Sequence, residues 1–375
     1  MQYRCMPIEA ESPEEYGYER IAHNLSESSV PDAHLRDLKL DLQDLILLYG
    51  EHRGLRALRE QIALMYPGIE ADDVLVTPGA AAALFILHTV LLQKGDHLVV
   101  QHPNYSTNLE TPRAIGCELT RWRLGFEQGF AADPAWLDGQ IRMNTRLISL
   151  TTPHNPSGQV MPPPELEAVV ERVLSSPAHL LVDETYRDIC YVAQAPLAAS
   201  FDPRVISVSS LSKAYGLPGI RIGWIICQDR ALLERCLAAK EQILICNSVV
   251  DEHIALQVLQ QRESWLERMR GRAVAHLDIL RDWMQRQAWL EWNEPEGGVV
   301  CFPRFCAAQR EANGLDARLQ RFYQLLLNEH GTFVGPGHWF EMPDSYLRIG
   351  YAWPEPDSLK AGLAAIEAAA ATAWA

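Results

Sequence analysis

Lys213 stands in SVSSLSKAYGLPGIRIGW (207–224), after a β-branched run and among small hydroxyl residues, with Arg221 eight positions further on. An amine held at the end of a strand can attack an aldehyde and form an imine. A guanidinium close by can hold an anion through paired N–H groups. Four other runs end in residues of similar kind. VLVTPGAAAA ends at the turn Gly79–Ala80–Ala81, HLVVQHPNY at Tyr105, RLISLTTPHNPSG at His154 and Asn155, and HLLVDETY at Asp183 and Tyr186, while Ser210 leads into Lys213. Each has an ordinary explanation. A glycine turn between strand and helix packs, an Asp at a strand end caps a helix, Asn-Pro marks a turn, a tyrosine fills core and a lone lysine lies on the surface. Their occurrence together, in order and at successive run ends, calls for a single ligand.

A pyridine ring bearing an aldehyde and a phosphate arm uses all of them. Lys213 takes the aldehyde. Asp183 faces the ring nitrogen and keeps it protonated, so that the ring can draw off electrons. Asn155 and Tyr186 serve the ring hydroxyl and Tyr105 the ring face. The Gly79–Ala81 turn opens a helix whose free N–H groups favour an anion, and Ser210 and Arg221 complete the phosphate pocket. Arg348, in SYLRIGYA, is the second arginine, with the fork geometry for a substrate carboxylate. The residues thus point to pyridoxal phosphate.

Such groups converge only if the elements between them bring the run ends to one edge. The short β-branched runs alternate with helical segments such as RGLRALREQIALMY (53–66) and ELEAVVERVLSS (165–176). That alternation predicts an α/β fold, a mostly parallel sheet with helices on both faces; ligands of such sheets bind outside the carboxyl ends of the strands. The spacing predicts three regions: an N-terminal arm over 1–40 that packs with the C-terminal part, a large domain over 41–275 and a smaller α+β domain over 276–375. With 375 residues, 22% charged and a net charge of −15, the chain can bury a large core and is ill suited to nucleic acid. The eight cysteines include no CxxC pair, which predicts thiols of a cytoplasmic protein and no metal site. The longest apolar run, 80–92, is too short to cross a bilayer.

The ordered set resembles the fold type I pyridoxal-phosphate enzymes of the aspartate aminotransferase superfamily. PHNPSG, DETY and SSLSKAYGLPGIRIG match that family's loops, as do FVGPGHWF and YLRIGYA later in the chain. YGEHRGLRALREQIA is similar to an element whose tyrosine, here Tyr49, reaches the phosphate of the neighbouring subunit. The resemblance implies a homodimer with sites at the subunit interface. SLSKAYGLPGIRIGW, TTPHNPSG and PEGGVVCFPRF are most similar to the capreomycidine-synthase group of arginine-modifying cyclases. These bind a hydroxylated arginine through its amine, eliminate water and close the guanidine into a ring. The alternative implied is an aminotransferase using glutamate or alanine as donor.

A guanidinium substrate needs acidic partners, and the arm offers Glu9, Glu11 and Glu27, of which Glu9 and Glu27 are the expected ligands. His154 is a candidate proton carrier, since histidine titrates near neutrality, or else a loop-packing residue.

Overall fold

The computed structural model describes residues 1–38 and 40–375. Seven strands form the central sheet: β1 (Val74–Thr77), β2 (His97–His102), β3 (Glu118–Arg123), β4 (Thr145–Thr151), β5 (His179–Asp183), β6 (Val205–Ser210) and β7 (Gly223–Ile226). Their spatial order is β1-β7-β6-β5-β4-β2-β3. β7 runs antiparallel to both of its neighbours, and every other pairing is parallel. The residues of β1, β2, β6 and β7 are all buried, as expected for strands covered on both faces.

The side chains alternate between two cores. Leu98, Val100, Leu147, Leu181 and Ile206 pack with Leu84 and Leu87 of the helix α1 (Ala80–Leu91). Val99, Ile148, Leu150, Leu180 and Val182 face the other way, onto Leu166, Val169, Val170 and Val173 of α2 (Pro163–Leu174). Those four lie at helical spacing, and Pro163 sits in the first turn, where its missing N–H costs nothing. Among the described residues no helix is long and apolar enough to cross a membrane.

A 25-residue helix, α3 (Arg262–Arg286), runs through position 275 and joins the sheet to the C-terminal part, so the expected division falls within a continuous helix. Beyond it, β8 (Val300–Cys301), β9 (Gly335–Pro336) and β10 (Leu347–Gly350) pair antiparallel. Residues near the start of the chain meet this region: His23–Asn24 pairs with Thr332–Phe333, and Gly350 N–H donates to the Leu25 carbonyl. A Cβ at position 350 would overlap the Glu27 carbonyl, so only glycine lets the arm lie this close to β10. The arm next runs beside Lys213: Val30 N–H donates to the Lys213 carbonyl and Ala33 N–H to that of Gly216. Residues 24–33 thereby bridge the small domain and the large one at the carboxyl edge of the sheet.

Candidate active site

At that edge lies a cavity of about 380 Å³, and most of the residues singled out above line it: Ala80, Ala81, Tyr105, Asn155, Asp183, Tyr186, Ser210, Lys213, Arg221 and Arg348. Gly79 lies at its margin and is the N-cap of α1, at φ 87°. A Cβ there would collide with the Arg221 guanidinium, so glycine allows both the turn and the close approach of the cation. No side chain caps α1. Its first N–H groups and Arg221 therefore present one positive corner. Arg221 itself adopts φ 48°, a left-handed conformation, and donates to the Pro218 carbonyl (2.8 Å) and to Ser212 Oγ (3.4 Å).

Asp183 ends β5 and is buried. Thr185 donates to its Oδ1 twice, from N–H (3.0 Å) and from Oγ1 (2.5 Å), and among the described residues nothing donates to Oδ2. Burial raises its pKa, opposed by Thr185 and by the charge of Lys213. A pyridinium N–H is the kind of group that would complete this carboxylate. The Lys213 Nζ donates to Ser28 Oγ at 2.7 Å. Loss of hydration lowers its pKa, helped by the charge of Arg348 and opposed by Glu27. An amine kept below its usual range is a better nucleophile near neutrality.

Arg348 comes from β10 and is 4% exposed. It donates to the Ser26 carbonyl (2.8 Å) and to Asn155 Oδ1 (3.3 Å), and its Nε is buried without a partner. Among the described residues it has no carboxylate partner. Its guanidinium carbon lies 5.1 Å from the centre of the Phe340 ring. Burial lowers its pKa. A buried guanidinium with only neutral acceptors is a site waiting for a carboxylate.

Acids line the cavity as well. Glu9 and Glu27 line the same cavity, joined by Glu14. Glu27 accepts from Tyr18 Oη (3.1 Å), and burial raises its pKa against the pull of Lys213. Glu9 accepts from Tyr105 Oη (3.2 Å). Tyr186 Oη donates to the Ser28 carbonyl (2.8 Å).

Three residues named in the sequence analysis lie outside the cavity lining. Glu11 points away from the cavity and accepts from His338 Nε2 (2.7 Å) and Trp339 Nε1 (2.8 Å), tying the arm to the small domain. His154 is buried, with Nε2 bonded to the Pro103 carbonyl and Nδ1 to Ser157 Oγ. Burial lowers its pKa to about 4. Both nitrogens are engaged, one within its own loop and one by the loop that follows β2, which fits a packing residue. Tyr49 is 77% exposed, beside Ile46, Leu47 and Leu48, in a groove separate from the cavity. Ser28, Glu14 and Thr185 belong to the site but were not singled out in the sequence. Thr185 could have been, since it lies within DETY; nothing local marks Ser28 or Glu14.

Residues 22–366 match the family model of class I and II aminotransferases. The capreomycidine synthase of Streptomyces vinaceus is 31% identical over 330 residues, 87% of this chain and 82% of that protein. A PLP-dependent aminotransferase from Streptococcus suis superposes with a TM-score of 0.91 at 27% identity, covering 99% of both chains. The PLP-dependent cyclase OrfR superposes with a TM-score of 0.86 at 28% identity, covering 98% of this chain and 97% of that one.

Proposed function

The chain belongs to the class I and II aminotransferase family and is a pyridoxal-phosphate-dependent enzyme, and from that premise we propose that it dehydrates and cyclises a hydroxylated arginine to a cyclic guanidine amino acid. One observation carries the reading. The cavity carries both signs of charge: Lys213, Arg221 and Arg348 line it, and so do Glu9, Glu14 and Glu27. A ligand that suits it carries both anionic groups and a cation. The cofactor phosphate and substrate carboxylate supply the first, a guanidinium the second.

In this reading Gly79, Ala80, Ala81, Ser210 and Arg221 hold the phosphate, Tyr105 and Asn155 border the ring, and Asp183 keeps its nitrogen protonated. When bound, the cofactor supplies an electron sink for the α-carbon. The chain's own residues do the rest. Arg348 fixes the substrate carboxylate, the freed Lys213 amine takes the α-proton, and Glu9, Glu14 and Glu27 orient the guanidine toward the chain carbon it must reach. Tyr186 supports the wall through Ser28. The net change is loss of one water. Tyr49 and the exposed apolar run around it (Ile46, Leu47, Leu48) favour a second copy covering this face, with Tyr49 reaching the partner's cofactor. All eight cysteines are free thiols, which fits the cytoplasm.

A transaminase is the second reading, favoured by the likeness to the Streptococcus suis aminotransferase. Three carboxylates in the cavity lining oppose glutamate as its donor and leave alanine. Incubating the holoenzyme with β- or γ-hydroxyarginine separates the readings. Cyclisation gives a guanidine product lighter by one water with no 2-oxo acid required. Steady amino exchange between alanine and a 2-oxo acid, without that product, overturns the cyclase.

A further inference from the structure

Ser28 has no role in the reading above beyond its carbonyl, yet its hydroxyl is the hydrogen-bond partner of the reactive amine. We propose that Ser28 is a positioning residue for Lys213: its Oγ accepts one N–H of the ε-amine and so aims the nitrogen lone pair into the cavity whenever the amine is free. The proposal rests on the reading of Lys213 as the cofactor-binding base.

The geometry is specific. Lys213 Nζ lies 2.7 Å from Ser28 Oγ, and Ser28 is 6% exposed. Its backbone is pinned on both sides. The carbonyl accepts from Tyr186 Oη, and two residues on, Val30 N–H donates to the Lys213 carbonyl. Just before it, Ser26 and Leu25 are held by Arg348 and Gly350. The hydroxyl therefore cannot follow a wandering lysine, and the lysine is brought to the hydroxyl. A free lysine chain has four rotatable bonds and about 2 kcal/mol of rotamer entropy, so a fixed acceptor narrows where the amine waits. In the proton transfer, the α-proton ends on Nζ and the electron pair of the C–H bond remains with the substrate. Ser28 Oγ then accepts from the resulting ammonium, with Glu27 next to it in the chain offsetting the charge.

The test uses the chain with Ser28→Ala and Ser28→Thr. Cofactor-free protein is labelled with an amine-reactive dinitrobenzene reagent across pH, and Lys213 is read by peptide mass spectrometry. Removing the acceptor disfavours the ammonium, so Ser28→Ala should lower the labelling midpoint by about one pH unit, while Ser28→Thr keeps it. In the holoenzyme, exchange of the substrate α-proton with solvent deuterium should slow by about tenfold in Ser28→Ala with KM within about twofold, and Ser28→Thr should restore it. Should the threonine variant fail to fold by circular dichroism, Ser28→Cys, a weaker acceptor, replaces it and should fall between wild type and alanine. Superimposable labelling curves for wild type and Ser28→Ala overturn the proposal, as does equal slowing by alanine and threonine. The labelling needs no cofactor. Failure of the underlying reading would appear separately, as wild-type protein that carries no adduct at Lys213 after borohydride reduction with pyridoxal phosphate.

Discussion

Replacing Arg348 with methionine separates function from stability at one position. The guanidinium is buried, its Nε has no partner, and it has two neutral acceptors, the Ser26 carbonyl and Asn155 Oδ1. In the ligand-free protein, hydrogen bonds to a charged group contribute about 1.5–3 kcal/mol each, against a desolvation cost of several kcal/mol for the unpaired cation. Methionine removes both and can pack on Phe340, whose ring already faces the guanidinium, and on Trp339. The two acceptors left behind cost about 1–3 kcal/mol each. Relief of that desolvation cost offsets much of the lost bonds and stranded acceptors, so the stability loss should stay below about 4 kcal/mol. Function responds differently. Losing the buried partner of a substrate carboxylate costs about 3–5 kcal/mol, which is roughly a factor of 10² to 10⁴. Urea unfolding of the cofactor-free protein measures the first quantity. The second is read from spectral titration of the holoenzyme with arginine and with agmatine, its counterpart without the carboxylate. Wild type should prefer arginine strongly, and Arg348→Met should nearly erase that preference by weakening arginine alone. An unchanged arginine-to-agmatine ratio would refute the reasoning, and so would a stability loss above about 4 kcal/mol, the mark of a structural residue.

Gly79→Ala places a side chain at φ 87°, straining the turn by about 1–2 kcal/mol, and pushes on the Arg221 guanidinium; cofactor affinity by equilibrium dialysis should fall at least about tenfold. The arm carries a pH-dependent tie at His338. Hydrogen bonds donated by His338 to Asp344 and then Glu11 raise its pKa to about 9. The folded value lies above the ordinary one, so the stabilisation is complete below about pH 6.5 and is lost as pH rises through about 9. Proteolysis around Tyr16–Glu19 should therefore quicken between pH 7 and 10, and Glu11→Gln should quicken it already at pH 7.

Most of the chemistry was legible in the sequence because it sits where strands end. A β-branched run followed by glycine, aspartate or lysine fixes both the strand and the edge at which the residue emerges, so Gly79, Asp183 and Lys213 could be assigned to one rim before any contact was known. The antiparallel β7 left no such mark: GWII is short, and its direction depends on the Pro218–Ile220 turn that precedes it. For His154 the sequence left proton carrier and loop packing both open, because a histidine carries no sign of whether its nitrogens are already satisfied.

Residue order alone thus determined the sheet, the cofactor and which amine and carboxylate to expect at its rim, since local pattern and strand polarity suffice for these. Only tertiary structure decided which acids of the arm line the cavity and what the lysine amine bonds to. Residues 24–33 follow no helical or strand period of their own; their course is set by backbone bonds to Gly350, Lys213 and Gly216. Those partners are remote in the chain, and only the closed fold brings Ser28 to the amine and Glu14 to the wall while turning Glu11 away.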